Sequence, residues 1–148
     1  MNLAREMTFL AVLAAAVGIC VNLFHPRGYE LRGRSASRAA VGISVEEAVI
    51  KHDAGAIFVD ARESSDYEQG RVPGALSVPL LDASAGKADL SFLDNPREIV
   101  IYCDGAGCGA SIRLAEIIRK KGYRRTIYVM EDGYPGWVSH GGPVERKQ

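Results

Sequence analysis

Residues 98–111 read Glu-Ile-Val-Ile-Tyr-Cys-Asp-Gly-Ala-Gly-Cys-Gly-Ala-Ser, and this stretch decides the fold. The apolar run from Ile99 to Tyr102 stops at Cys103 and gives way to glycines at 105, 107 and 109. A short apolar run bounded by turn residues reads as a buried strand. Beyond the glycines, Ile112, Leu114, Ala115, Ile117 and Ile118 mark one face of a helix that ends at Lys120-Lys121-Gly122, with cations in its last turn and a glycine stop. Strand, glycine loop and helix in that order form the repeating unit of an α/β protein. In a parallel sheet the functional site lies beyond the carboxyl ends of the strands, where Cys103 stands.

The loop has a chemistry of its own. Three glycines at alternate positions let the backbone turn sharply and aim N–H groups inward, and the positive end of the following helix adds to the same field. Asp104, Gly105, Ala106, Gly107 and Gly109 therefore form a candidate anion-holding loop. Dipoles that hold an oxyanion also stabilise a thiolate, so Cys103 is expected to ionise more readily than a free thiol and to act as a nucleophile. The plainer alternative is a small apolar residue closing a core strand. Cys108, five residues on, is the candidate resolving thiol, because a glycine-rich loop lets the two sulfurs approach. The pattern Gly105-x-Gly107-x-x-Ala110 also satisfies a permissive dinucleotide fingerprint, but only 50 residues follow Glu98, too few for the rest of that fold. No metal and no cofactor are expected, since Cys20, His25, His52 and His140 stand at no ligand spacing to the loop cysteines.

Working outward, Ala56-Ile57-Phe58-Val59 is a second buried run that stops at Asp60, and Thr126 to Met130 is a third. Ser44 and Glu47 have capping-box spacing, which predicts a helix through about His52 that ends near Gly55. Strands alternating with helices imply right-handed crossovers and a mainly parallel sheet with helices on both faces.

The remainder of the chain bounds the function. Its 148 residues carry 18 Lys+Arg against 18 Asp+Glu, so there is no global basic field of the kind that nucleic-acid binding uses, and three cysteines are too few for a disulfide scaffold. Met7 to Phe24 (MTFLAVLAAAVGICVNLF) carries no charge and as a helix would reach about 27 Å, close to a hydrocarbon core. Residues 1–24 are thus expected to hold one transmembrane helix as a retained anchor, with a cleaved signal peptide or a core helix as the alternatives. Residues 25–42, with Arg27, Arg32, Arg34 and Arg38, read as a linker, either at the lipid surface or merely solvated, and residues 43–148 as the folded domain. A single-pass protein of a bacterial-type inner membrane, monomeric, is the expectation. The positive-inside count places its domain in the cytoplasm, whereas the short head before the apolar run reads as an export signal and places it in the periplasm.

From Ile43 to Val144 the sequence resembles the rhodanese domain in its short, single-domain form. Ile43-Ser44-Val45-Glu46-Glu47 resembles the family's first helix, and Phe58-Val59-Asp60-Ala61-Arg62-Glu63 its strand ending in Asp-x-Arg. Tyr67 to Ala75 is similar to its Tyr-x-x-Gly-His-Ile-Pro-Gly-Ala segment, Ile99 to Cys103 to the strand before the active loop, and Asp132 to Trp137 to its Gly-Gly-x-x-x-Trp turn. The resemblance implies a loop cysteine that takes sulfane sulfur from a donor, becomes a persulfide and passes the sulfur to a thiol or protein acceptor. Cys103 would fill that role, with the N–H groups of residues 104 to 109 holding the persulfide. Asp60 and Arg62 would tie loops together at a strand end, Trp137 would cover the core, and Arg71 stands where the motif has His.

Two departures qualify the resemblance. Cys108 occupies the arginine position of the Cys-x-x-Gly-x-Arg loop, which deprives an anionic donor such as thiosulfate of a bidentate partner and predicts low thiosulfate use. The loop is also one or two residues longer than in the thiosulfate-using form. That length is similar to the phosphatases sharing the fold, but their Cys-x5-Arg would need arginine at Gly109, which disfavours phosphatase action. Sulfane-sulfur transfer is therefore the expected function. A non-catalytic interaction module and thiol–disulfide exchange between Cys103 and Cys108 are its alternatives.

Overall fold

Strands made of consecutive apolar residues need a covering layer on each side. The computed structural model, which describes Met7 and residues 39–147, places such strands at the centre of the folded domain. In chain order the strands are β1 (Val41–Ile43), β2 (Ile57–Asp60), β3 (Leu76–Ser77), β4 (Ile99–Tyr102) and β5 (Ile127–Met130). They form one sheet in the order β1-β5-β4-β2-β3, and every neighbouring pair is parallel. β2 and β4 are buried at every position and lie in register, Asp60 beside Tyr102. An isolated antiparallel bridge joins Arg71 to Glu145 outside the sheet.

Side chains alternate between the two faces of a strand, and each face finds its own helices. The helices are α1 (Val45–Asp53), α2 (Ser64–Gln69), α3 (Leu80–Ser84), α4 (Ala110–Lys120) and α5 (Gly133–Ser139), with a 3-10 turn at Ser91–Asp94. Val59, Ile99 and Ile101 pack against Leu114, Ala115 and Ile118 of α4 and Ala83 of α3. On the opposite face Phe58, Val100, Tyr102 and Met130 pack against Ala48 of α1 and Trp137 of α5. Trp137 is wholly buried, its ring centroid 5.7 Å from that of Phe58, and its Nε1–H donates to the Pro143 carbonyl at 2.8 Å. That hydrogen bond satisfies the one polar atom of the indole, as burial requires.

Local signals in the sequence are visible in these elements. Ser44 Oγ accepts the Glu47 N–H at 3.3 Å and Glu47 Oε2 accepts the Ser44 N–H at 3.0 Å, the reciprocal capping box that starts α1. Arg119, near the end of α4, donates through Nε to the Ala39 carbonyl at 2.9 Å and through Nη1 to the Tyr123 carbonyl at 3.1 Å.

The folded domain, expected over residues 43–148, begins at least two residues earlier. Val41 and Gly42, assigned to the linker of residues 25–42, belong to β1 and pair with Tyr128 and Val129 of β5. A strand of three residues containing glycine has no readable alternation, and its pairing is supplied by β5. The segment after Asp132, expected as a turn, is the helix α5. Glycine and proline give it poor intrinsic propensity, so the burial of Trp137 and a hydrogen bond to the loop after β4 hold it in place. The expected anchor within residues 1–24, Cys20, and the linker up to residue 38 lie outside the described residues, Met7 apart. Among the described residues no helix is long and apolar enough to cross a membrane.

Candidate active site

Because the sheet is parallel, the segments leaving β2, β4 and β5 emerge along one edge. They are Asp60-Ala61-Arg62, the loop from Cys103 to Gly109, and Asp132-Gly133-Tyr134. Cys103 continues the alternation of β4, so its side chain joins the core face covered by α4. Its backbone is clamped by its neighbour: the Tyr134 N–H donates to the Cys103 carbonyl at 2.8 Å. Gly133 makes this approach possible, since it has φ +56° and a Cβ there would overlap the Cys103 carbonyl and lie 2.5 Å from the Gly105 nitrogen.

The loop folds over the thiol. A turn is closed by the Cys108 N–H donating to the Gly105 carbonyl at 3.0 Å, with Gly107 at φ +88° in the left-handed region. Asp104, Ala106, Gly107 and Gly109 are exposed, whereas Gly105 and Cys108 are half-buried. Cys103 itself is 2% exposed. Its thiol donates toward the Cys108 carbonyl at 3.5 Å and stands 3.5 Å from the Ser111 hydroxyl at the head of α4. Both cysteines are free thiols.

Ease of ionisation departs from the sequence expectation. Burial pushes the Cys103 thiol above its ordinary pKa, and the adjoining Cys108 thiol raises it further, while the Ser111 hydroxyl and N–H oppose both. In this closed arrangement a carbonyl faces the sulfur, and a carbonyl favours the proton that a ring of N–H donors would repel. Ser111, 2% exposed, is a site residue that the sequence reading passed over. Its position in the first turn after the loop was visible, but its burial against Sγ depends on how the loop folds.

Asp60 and Arg62 form a buried fork. Arg62 Nε lies 2.9 Å from Asp60 Oδ1, Nη2 lies 2.6 Å from Oδ2, and Nη2 also donates to the Gly70 carbonyl at 2.7 Å. Burial acts against the charge of Arg62, but Asp60 prevails and holds its pKa up. The guanidinium sits 4.0 Å over the ring of Tyr134, which stacks in turn on Tyr102. Tyr102 OH accepts the Val72 N–H at 3.2 Å, and burial beside Asp60 pushes its pKa above the usual phenol range. Arg71 pairs with Glu145 and covers the Tyr67 ring at 4.6 Å, so its charge is engaged with the C-terminal segment. Beside Tyr134 an open groove of about 300 Å³ is lined by Arg62, Gln69, Gly70, Val138 and Arg146 among others, and Cys103 is not part of its lining. Among the described residues no cluster of three or more His, Cys, Asp or Glu side chains is arranged to hold a metal ion.

A parallel α/β domain whose central strand delivers a cysteine into a glycine loop at a helix head defines a class of thiol-bearing domains. Residues 44–140 match the rhodanese-like domain, and the chain belongs to that family. It is 32% identical over 104 residues to an HTH-type transcriptional regulator of Mycobacterium tuberculosis, covering 70% of this chain and 44% of the regulator. It is 29% identical over 106 residues to the thiosulfate:glutathione sulfurtransferase of Saccharomyces cerevisiae, covering 62% of this chain and 71% of that protein. Among solved structures, the thiosulfate sulfurtransferase of Pseudomonas aeruginosa superposes with a TM-score of 0.58 at 27% identity, over 76% of this chain and 21% of that one. The relatives of this domain thus include sulfurtransferases, and the chain spans less than half the length of the mycobacterial regulator.

Proposed function

We propose that this protein transfers sulfane sulfur through a persulfide on Cys103. The observation that carries the reading is the position of that thiol, at the carboxyl end of β4 beneath a glycine loop and against the Ser111 hydroxyl and N–H at the head of α4. In the first half-reaction the Cys103 thiolate attacks the terminal sulfur of a donor R–S–SH, the donor S–S bond breaks, and R–S⁻ leaves and takes up a proton. In the second, an acceptor thiolate attacks the same sulfur and returns Cys103 to the thiolate. Cys108 at the family's arginine position supports a persulfide donor over thiosulfate, because no guanidinium waits for an anionic group at that point of the loop. The naming of one relative for a glutathione-linked transfer supports a thiol acceptor.

Treating the protein with a persulfide donor and weighing it tests the reading. One added sulfur on Cys103, lost in Cys103→Ser, is expected, with thiosulfate a much poorer donor. The opposing reading is a non-catalytic interaction module, favoured by the closed loop that buries the thiol; an unmodified Cys103 after treatment would exclude the transfer reading. The uncharged run of residues 7–24 supports tethering of the domain to a membrane. The full chain should then stay with the lipid when membranes are extracted at alkaline pH, and its release would remove the tether.

A further inference from the structure

Cys103 is 2% exposed, yet the sulfur it carries has to leave the protein. Cys108 is half-buried, its carbonyl stands 3.5 Å from Cys103 Sγ, and its side chain packs against the core cluster to which Cys103 belongs. A glycine stands on each side of it, and nothing lies within 4 Å of where a Cβ would be at Gly107 or Gly109. The segment carrying Cys108 therefore has open space around it and a backbone suited to hinge motion. A donor reaches Cys103 only when this segment lifts. When the segment returns to the arrangement seen here, the Cys108 carbonyl again faces Cys103 Sγ, and the residue that carries it brings a second thiol to the neighbourhood of the newly loaded sulfur.

We propose that Cys108 is a second sulfur carrier, which takes the sulfane sulfur from the Cys103 persulfide and presents it to the acceptor at the surface. The inference rests on the reading of Cys103 as the first carrier. The Cys108 thiolate attacks the outer sulfur of Cys103–S–SH, a new bond forms between that sulfur and Cys108 Sγ, and the old S–S bond breaks. Its electron pair passes to Cys103 Sγ, which takes the proton that Cys108 released. No oxidant or reductant is consumed, since one persulfide and one thiol become one thiol and one persulfide. Attack on the inner sulfur instead would form a Cys103–Cys108 disulfide and expel hydrogen sulfide. Two features favour the outer sulfur: it is the less crowded target, and the closed loop holds Cys103 Sγ between Cys108 O and Ser111 Oγ. The same arrangement gives a reason for cysteine at this loop position in place of a guanidinium donor.

The test uses the full chain, loaded with a low-molecular-weight persulfide, quenched at increasing times with an alkylating agent and mapped by peptide mass. The added sulfur should appear on Cys103 first and on Cys108 afterwards, and should leave from Cys108 when a small acceptor thiol is added. In Cys108→Ser the sulfur should load on Cys103 and stay there, with delivery to the acceptor lost; loading itself reports that the variant is folded. Delivery from Cys108→Ser as fast as from the parent overturns the relay and leaves Cys103 as the sole carrier. A Cys103–Cys108 disulfide with stoichiometric hydrogen sulfide overturns it in favour of a resolving thiol. Absence of sulfur on Cys103 in the parent protein overturns the underlying sulfurtransferase reading instead.

Discussion

At the scale of single residues, reactivity at Cys103 is a contest between burial and two groups of Ser111. Burial and the Cys108 thiol favour the protonated form, and the Ser111 hydroxyl and N–H favour the thiolate. Ser111→Ala removes the hydroxyl and leaves the N–H, so the pH profile of Cys103 alkylation should move to higher pH; an unmoved profile would show that the hydroxyl has no part in it. The raised pKa also has a consequence for stability. The folded protein keeps the Cys103 proton when the unfolded chain, with an ordinary thiol value of about 8.5, has released it. Its contribution to stability is therefore complete below that pH and declines as the pH rises through the folded value, a slope that Cys103→Ala should lessen. The place of Cys103 at a strand end, before a glycine loop and a helix, was legible in the sequence. Its protonation was not, because that depends first on how deeply the folded loop buries the sulfur, and Cys103 is almost wholly covered here.

At the scale of elements, the long signals were legible and the short ones were not. β2, β4 and β5 announce themselves as apolar runs, α1 by its capping box and α4 by a clear apolar face. β1 and β3 have three and two residues, and α2, α3 and α5 have six, five and seven, lengths at which no period can be read. α5 is the instructive case, because its Gly-Tyr-Pro-Gly start contradicts helix propensity and the element exists through contacts distant in sequence. Gly133 is the point where those contacts meet the site, touching the backbone of Cys103 and Gly105. Gly133→Ala places a methyl group in that space at a positive φ, and either α5 or the loop has to retreat. The expected result is a less stable protein whose Cys103 is alkylated faster, measured by denaturant unfolding and timed labelling. A stable protein with unchanged labelling would mean that the loop after β4 does not depend on α5 for its closed form.

At the scale of the whole molecule, two arginines hold together parts that are far apart along the chain, and they differ in how much depends on them. Arg71 reaches Glu145 at the partly exposed margin, where its side chain is 13% exposed and that of Glu145 43%. Water competes for both charges, so the pair contributes little. Arg62 is 6% exposed and its partner Asp60 fully buried. This guanidinium joins the end of β2 to the Gly70 carbonyl before β3 and to the ring of Tyr134 on α5. Removing one member of a buried pair strands the other charge without solvent, a loss of about 3–5 kcal/mol, large against the 5–15 kcal/mol by which domains are ordinarily stable. Arg62→Ala should therefore lower the midpoint of urea unfolding far more than Arg71→Ala, with Arg62→Lys unable to restore it because an ammonium cannot make the fork. The carboxyl edge of the sheet, and Cys103 with it, should loosen in the Arg62 variant and stay closed in the Arg71 variant. Equal losses from the two substitutions would show that the Asp60–Arg62 fork is not what holds β2, the segment before β3 and α5 around the site.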